Sequence, residues 1–230
     1  AYTQYWIEGN AYKFAAIVNG TAATFSKDAN NADNMPLTIS YNAAGQKDLL
    51  YAEDNNVTNY NAATNTGVVE FNFNHLLSKV QFTFKNEMAD NTANSKYTYM
   101  VSDIKINNAY MDGTYTIGTT TWVADGTRSE VAFGNITNAA KDAQDTEANR
   151  KAIQVEAKGQ ATSHYSRLLI PNTYRDLNIT STIETLLNNK VSDRDNLEAN
   201  PASITLEAGH AYNFILSKGN PGDPIKFALE

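Results

Sequence analysis

The stretch that decides the fold runs from Val69 to Lys85 and reads VEFNFNHLLSKVQFTFK. Its apolar residues occupy odd positions in the first half and even positions in the second. Because successive side chains of a strand point to opposite faces, this change of phase would turn the buried face outward. The segment from His75 to Lys79 has no Gly, Pro, Asn or Asp to build a turn, so we expect a β-bulge or a crossing between sheets. We predict one long, kinked core strand containing Val69, Phe71, Phe73, His75, Val80, Phe82 and Phe84, with His75 in a structural role at the kink.

Alternation of the same kind recurs along the chain and favours an all-β fold. Residues 210–217 and 225–230 alternate between apolar and polar side chains in the manner of strands. Many short strands with little helix are typical of β-sandwiches and barrels. Residues 183–191, which read IETLLNNKV, would also suit one or two helical turns.

A polar stretch without periodicity, residues 53–67, divides the chain. We interpret it as the connector between two β-sandwich domains, residues 1–66 and residues 67–230. The first domain is short for a complete sandwich. A missing leading strand would explain its length, and a chain that starts late would explain it equally well.

Composition excludes several classes of function. The 230 residues carry a formal net charge of −7, and no cluster of Lys and Arg offers a surface for nucleic acid. No window approaches the roughly 20 apolar residues that a membrane helix needs. The absence of cysteine removes disulfides, thiolate metal sites and cysteine nucleophiles. The first residues do not form a signal peptide, so the protein is either not exported or begins after a processing point.

Candidate catalytic residues do not form a recognisable pattern. His75, His164 and His210 are far apart in the sequence, and no nucleophile elbow or phosphate-binding loop is present. We therefore interpret the histidines as structural or surface residues. The run from Asp193 to Asn196 resembles a calcium loop only weakly, since it lacks the Gly and the final Glu. We predict no catalysis, no metal site and no cofactor.

Aromatic residues near the start of the chain leave two interpretations open. Tyr5, Trp6 and Tyr12 could line a sugar-binding face. Aromatic residues on paired strands also serve as core and cross-strand packing, which is the more common arrangement.

Five segments, in order, resemble the fimbrillin-like proteins of the Bacteroidales, the subunits of type V pili. The segment FNFNHLLSKVQFTF is similar to the histidine-containing strand of that family. The other four are KDLLYA at 47–52, GTYTIGTTTW at 113–122, LLIPN at 168–172 and LEAGHAYNFILSKG at 206–219. The family usually has Gln where this chain has Asn172.

The resemblance implies two tandem transthyretin-like β-sandwich domains, the first lacking its leading strand after processing. It also implies export as a lipoprotein precursor, trimming by an arginine-specific protease and polymerisation at the outer surface of the cell. The implied partners are other pilin subunits, with host or bacterial surface ligands also open. Membrane association would occur only through a lipid anchor on the precursor.

Polymerisation of this kind would require a donor strand that fills a groove in the next subunit. Ile225, Phe227 and Leu229 alternate as such a strand requires. The same residues could equally form the last strand of their own sandwich. We predict a structural or adhesive pilus subunit, with stalk, tip and anchor roles open. The alternative is a surface glycan-binding β-sandwich module that does not polymerise.

Overall fold

The computed structural model describes residues 14–25, 36–54, 69–137 and 151–230 of the chain. Their regular structure is almost entirely β-strand, with one 3₁₀ turn at Ala43–Gly45. The predicted all-β class is therefore confirmed. Within these residues no helix is long and apolar enough to cross a membrane.

Short strands account for most of the described chain. In chain order, β1 to β10 are Phe14–Val18, Thr21–Phe25, Pro36–Asn42, Leu50–Asp54, Asn74–His75, Ser78–Asn86, Tyr97–Tyr110, Asp112–Thr116, Thr121–Ala124 and Arg128–Gly134. β11 to β20 are Ile136–Thr137, Gln154–Val155, Gln160–Ser163, Arg167–Leu169, Asn172–Tyr174, Ile179–Leu187, Lys190–Ala199, Ile204–Leu206, Ala211–Lys218 and Lys226–Leu229.

The smaller of two β-sandwiches combines a three-stranded and a four-stranded sheet. β1, β4 and β5 form the first, and β2, β3, β8 and β9 form the second. One apolar core contains side chains of both sheets, including Ile39 from β3, Tyr51 from β4 and Tyr115 from β8. These side chains hold the two sheets together because each is almost completely removed from water.

The larger sandwich contains the main core. Its five-stranded sheet has the order β10-β7-β16-β17, with β12 also paired to β7. Its six-stranded sheet has the order β11-β13-β6-β19-β20, with β14 also paired to β6. β6 and β19 run parallel, and Phe82 lies between Phe133 and Phe214 in edge-to-face contacts of 4.7 and 5.2 Å between ring centres. Such contacts between buried rings add to the stability of the core.

The chain passes from the smaller to the larger sandwich inside the stretch Val69–Lys85. β5 pairs with β4 in the smaller sandwich, whereas β6 pairs with β13, β14 and β19 in the larger one. Leu76 and Leu77, between the two strands, are buried in the smaller core. The phase shift is therefore absorbed by a crossing between sheets.

The prediction of one continuous core strand is wrong in its first half. Phe71 and Phe73 precede β5, lie outside any strand, and are 37% and 43% exposed. Val69 is half-buried, while Val80, Phe82 and Phe84 are fully buried on β6. The physical reason is that β5 spans only two residues, so none of the described sheets continues over the aromatic side chains before it.

The two sandwiches do not divide at one point in the sequence. The predicted boundary at residues 66 and 67 lies outside the described residues. The smaller core nevertheless includes Leu76, Leu77, Tyr115 and Ile170, all of which come after that boundary. After β7 in the larger sandwich, the chain returns to the smaller one, because β8 pairs with β3 over five residues.

A hairpin replaces the helical turns that residues 183–191 also suited. β16 and β17 are antiparallel, and Leu187 lies opposite Lys190. Asn188 and Asn189 between them have φ of 49° and 63°. Two consecutive residues with positive φ characterise the type I′ turn, whose twist matches that of the strands.

Candidate assembly strand and inter-sandwich cleft

The terminal strand β20 lies in its own sandwich. It pairs antiparallel with β19, with Leu229 opposite Phe214 and Phe227 opposite Leu216. Glu230 extends the pairing through two backbone hydrogen bonds of 3.0 Å with Asn213. Since β20 ends the order of the six-stranded sheet, its other edge has no strand partner among the described residues.

Side chains hold β20 less firmly than β19. Phe227 makes an edge-to-face contact with the fully buried Phe214 at 5.4 Å between ring centres. Ile225 and Phe227 are only half-buried, and Leu229 is 38% exposed. A strand of this kind contributes less burial than a central strand and can separate from the sheet at lower cost.

Two ion pairs flank β20. Lys226 lies 3.1 Å from Glu87, and Glu230 lies 3.1 Å from Lys85. The hydrogen bond from Lys226 lowers the pKa of Glu87. Both pairs are largely exposed, so each contributes little to the stability of the strand.

The smaller sandwich has an incomplete edge on β4. β5 pairs only with Leu50 and Tyr51, whereas β1 continues along the other side of β4 to Asp54. Beyond Tyr51, the β5 side of β4 therefore has no partner among the described residues. Phe71 and Phe73, which precede β5, are exposed and lie 6.2 Å apart between ring centres. Unpaired backbone beside exposed aromatic side chains is a surface on which another strand can add.

A cleft of about 540 Å³, the inter-sandwich cleft, lies where the two sandwiches meet. It brings together His75 from β5 and His210 from the segment before β19, two residues that are far apart in the sequence. The side of the smaller sandwich contributes Gln46, Asp48 and His75 to its lining. Leu77, which is buried in the smaller core, also lines the cleft. The side of the larger sandwich contributes Lys79, Ser166, Arg167, Leu168, Gly209, His210 and Ala211.

His75 is fixed by an acidic neighbour. Its Nδ1 donates to the carboxylate of Asp48 across 2.5 Å, and the histidine side chain is 63% exposed. His75 was predicted to be structural, and the bond does tie β5 to the segment before β4. His210 donates from Nδ1 to the carbonyl of Ala208 at 3.0 Å. Nε2 of His210 lies 3.8 Å from the carboxylate of Glu207.

Basic side chains in the cleft lack acidic partners. Arg167 donates from Nε to the carbonyl of Ala132 at 2.7 Å, and its guanidinium lies 4.1 Å from the centre of the Tyr165 ring. Among the described residues, neither Arg167 nor Lys79 has a carboxylate within ion-pair distance. Burial lowers the pKa of Arg167, because desolvation disfavours a charged form that has no counterion nearby.

Two further predictions from the sequence concern the aromatic residues near its start and the weak calcium-loop pattern. Tyr5, Trp6 and Tyr12 lie outside the described residues. Asp193 and Asp195 belong to β17, so the weak calcium-loop pattern is part of a strand. Across the described ranges no group of three His, Cys, Asp or Glu side chains could hold a metal ion.

The cleft itself could not have been found from the sequence. Its charged lining comes from four separate segments, around Asp48, His75–Lys79, Arg167 and His210. None of these segments carries a motif on its own. The antiparallel pairings of β14 with β6 and of β5 with β4, together with the parallel pairing of β19 with β6, bring them to one place.

Comparisons with known proteins identify relatives. The family model for fimbrillin-like proteins matches residues 1–225, which confirms the resemblance seen in the sequence. A fimbrial protein from Bacteroides vulgatus ATCC 8482 has a similar structure, with a TM-score of 0.56 and 16% identity, covering 87% of this chain and 69% of that one. This likeness shows a shared fold.

Two further solved structures are more distant. A candidate cell adhesion protein from Bacteroides uniformis ATCC 8492 has a TM-score of 0.48 and 17% identity, covering 95% of this chain and 71% of that one. The fimbrial anchor protein Mfa2 from Porphyromonas gingivalis has a TM-score of 0.32 and 10% identity, covering 95% of this chain and 74% of that one. No curated protein matches the sequence.

Proposed function

Because this chain belongs to the fimbrillin-like family, we propose that it is a structural or adhesive subunit of a bacterial surface pilus. Its partners are other pilin subunits, and its location is the outer surface of the cell. The work of such a subunit is assembly and contact, without catalysis. A lipid anchor on a precursor would hold the subunit at the membrane before assembly.

Assembly proceeds by strand exchange between subunits. The observation that carries this step is the incomplete edge of β4, which β5 pairs only at Leu50 and Tyr51, together with the exposed Phe71 and Phe73 just before β5 in the chain. A strand from a neighbouring subunit would satisfy the backbone groups and cover the aromatic rings. β20 supports the donor half of the proposal, since Ile225, Phe227 and Leu229 alternate along a strand that is only half-buried in its own sandwich.

Proteolytic trimming would expose the acceptor edge. Residues 1–127 contain no arginine, so an arginine-specific cut would not fall within this part of the chain. Such a cut would leave the strands of the smaller sandwich intact, because β1 to β9 all lie within residues 14–124.

Electron microscopy of the precursor after arginine-specific proteolysis tests the proposal. We expect filaments from the trimmed protein and none from the untrimmed protein. Phe227→Ser should reduce filament length, because it places a hydroxyl on the apolar face of the donor strand. Ala228→Ser is the matched control, since Ala228 is exposed on the other face of β20, and it should leave the filaments unchanged.

The acceptor edge is tested in the same way. Phe73→Ser should shorten filaments while leaving the melting temperature of the monomer nearly unchanged, because Phe73 is 43% exposed. Monomers alone under every condition, with trimming verified by mass spectrometry, would count against polymerisation and favour a module that does not assemble.

A further inference from the structure

We propose that the inter-sandwich cleft binds an acidic sugar through its carboxylate group. The cleft measures about 540 Å³, within the usual range for small-molecule sites. It also lies at the junction of two sandwiches, where such sites commonly occur. An inorganic oxyanion would occupy only part of this volume, so a ligand of monosaccharide size or larger fits better.

The charge of the lining favours an anion. Among the described lining residues, Lys79 and Arg167 are positive and Asp48 alone is acidic. The carboxylate of Asp48 is hydrogen-bonded to His75, and its single negative charge balances only one of the two positive charges. The cleft thus has an excess of positive charge in a chain whose net charge is −7.

The guanidinium of Arg167 is held in a fixed position in which it can bind a carboxylate. The carbonyl of Ala132 and the ring of Tyr165 fix the guanidinium in place, which reduces the entropy lost when a ligand binds. A planar guanidinium can pair with a carboxylate through two parallel hydrogen bonds. Its partial burial is costly because no described carboxylate lies within ion-pair distance, and a bound carboxylate would relieve that cost.

Neighbouring groups suit the hydroxyls of a sugar. His75 uses Nδ1 to reach Asp48, which leaves its Nε2 as an acceptor when the ring is neutral. Nε2 of His210 lies 3.8 Å from the carboxylate of Glu207, which can itself accept a hydrogen bond from a hydroxyl. Ser166 adds a hydroxyl to the lining. Of the described residues, no aromatic side chain other than the histidines lines the cleft, so recognition by these residues would rest on charge and hydrogen bonds rather than on ring stacking.

Nuclear magnetic resonance of the histidine rings provides the test. The chain has three histidines; His75 and His210 line the cleft, while His164 is buried elsewhere and serves as an internal reference. Titration of monomeric protein with glucuronate should shift the ring signals of His75 and His210 but not that of His164. Glucose, which has the same ring size without the carboxylate, should cause no saturable shift.

Variants locate the binding site. Lys79→Gln and Arg167→Gln should each weaken glucuronate binding by roughly tenfold, the effect of losing one charge-assisted hydrogen bond. Lys85→Gln is the matched control, because Lys85 lies on the same strand outside the cleft and pairs with Glu230. Lys79 is exposed, so its variant should fold normally even if the loss of Arg167 disturbs the packing on Tyr165.

Three results would overturn the proposal. They are the absence of any saturable shift with glucuronate, equal binding of glucose and glucuronate, and unchanged affinity in Lys79→Gln. Tighter binding of inorganic sulfate than of glucuronate would overturn the assignment to a sugar. The measurements use the monomer, so their outcome does not depend on whether the protein forms filaments.

Discussion

Asp195 on β17 holds the buried ammonium group of Lys218 on β19 in an ion pair. The two strands belong to different sheets of the larger sandwich, so the pair connects the sheets directly. The lysine side chain is only 2% exposed, whereas that of Asp195 is 37% exposed. The ammonium also lies 5.7 Å from the centre of the Tyr99 ring. Such an arrangement depends on both partners, because a buried charge that loses its counterion is strongly unfavourable.

Asp195→Asn should lower the free energy of unfolding by about 2 kcal/mol, less than the 3–5 kcal/mol expected for a fully buried pair because the carboxylate is partly hydrated. Urea denaturation measures the difference. Arg194→Gln is the control on the same strand, since Arg194 is 63% exposed in its pair with Glu184. It should change stability by less than about 0.5 kcal/mol. Equal losses in the two variants would refute a special role for Lys218.

Phe82→Ala should destabilise the protein by about 3–5 kcal/mol, because it removes a fully buried ring and leaves a cavity between Phe133 and Phe214. Phe73→Ala, in the same stretch of sequence, should cost less than about 1 kcal/mol because the ring is 43% exposed. Chemical denaturation of both variants compares the two halves of the stretch. Similar losses would mean that the first half is buried as well.

The stability of the hairpin between β16 and β17 should depend on how well its two turn residues tolerate a positive φ. Asn188→Val places a β-branched residue at a φ of 49° and should cost about 1–2 kcal/mol. Asn189→Gly should leave stability unchanged or raise it slightly, since Asn-Gly is a preferred pair for the type I′ turn. Thermal unfolding of the two variants measures both effects. A destabilising Asn189→Gly would argue against this turn type.

Alkaline pH should lower the free energy of unfolding because Tyr41 ionises. Burial, together with the charge of Asp48, raises the pKa of Tyr41 from 10.0 to about 12. The unfolded chain therefore loses the phenolic proton first, so the contribution to stability is complete below pH 10 and is lost as pH rises towards 12.

Urea titrations at increasing pH measure this dependence. Tyr41→Phe should lower stability at neutral pH, because it removes the hydrogen bond to the carbonyl of Lys47. It should also decrease the slope of stability against pH in the alkaline range. Other buried tyrosines, including Tyr99 and Tyr174, have raised pKa values, so some slope should remain. An identical slope in the variant would rule out Tyr41 as a contributor.

Local sequence patterns were sufficient to predict the buried residues of strands that pair regularly with their neighbours. Val80, Phe82 and Phe84 alternate in the sequence and are buried on β6. Phe214 and Leu216 on β19 follow the same rule, and each lies opposite a residue of β6 in the parallel ladder. Five ordered segments also predicted the family that the comparison over residues 1–225 confirms.

Alternation in the sequence did not predict burial correctly where burial depended on a strand far away in the chain. Phe71 and Phe73 alternate as well as Phe82 and Phe84 do, yet they are exposed, since no sheet in the described part of the chain extends to them. The hairpin β8–β9 joins the smaller sandwich through its pairing with β3, a contact that alternation cannot specify.

Alternation, turn residues and composition were thus enough to predict an all-β chain and its main core strands, and the five ordered segments were enough to indicate its family. The crossing between β5 and β6, the return of β8 to the smaller sandwich and the meeting of His75, Arg167 and His210 in one cleft were decided only by tertiary structure. The physical reason is that alternation records which face of a strand is apolar, whereas pairing between distant strands determines what covers that face.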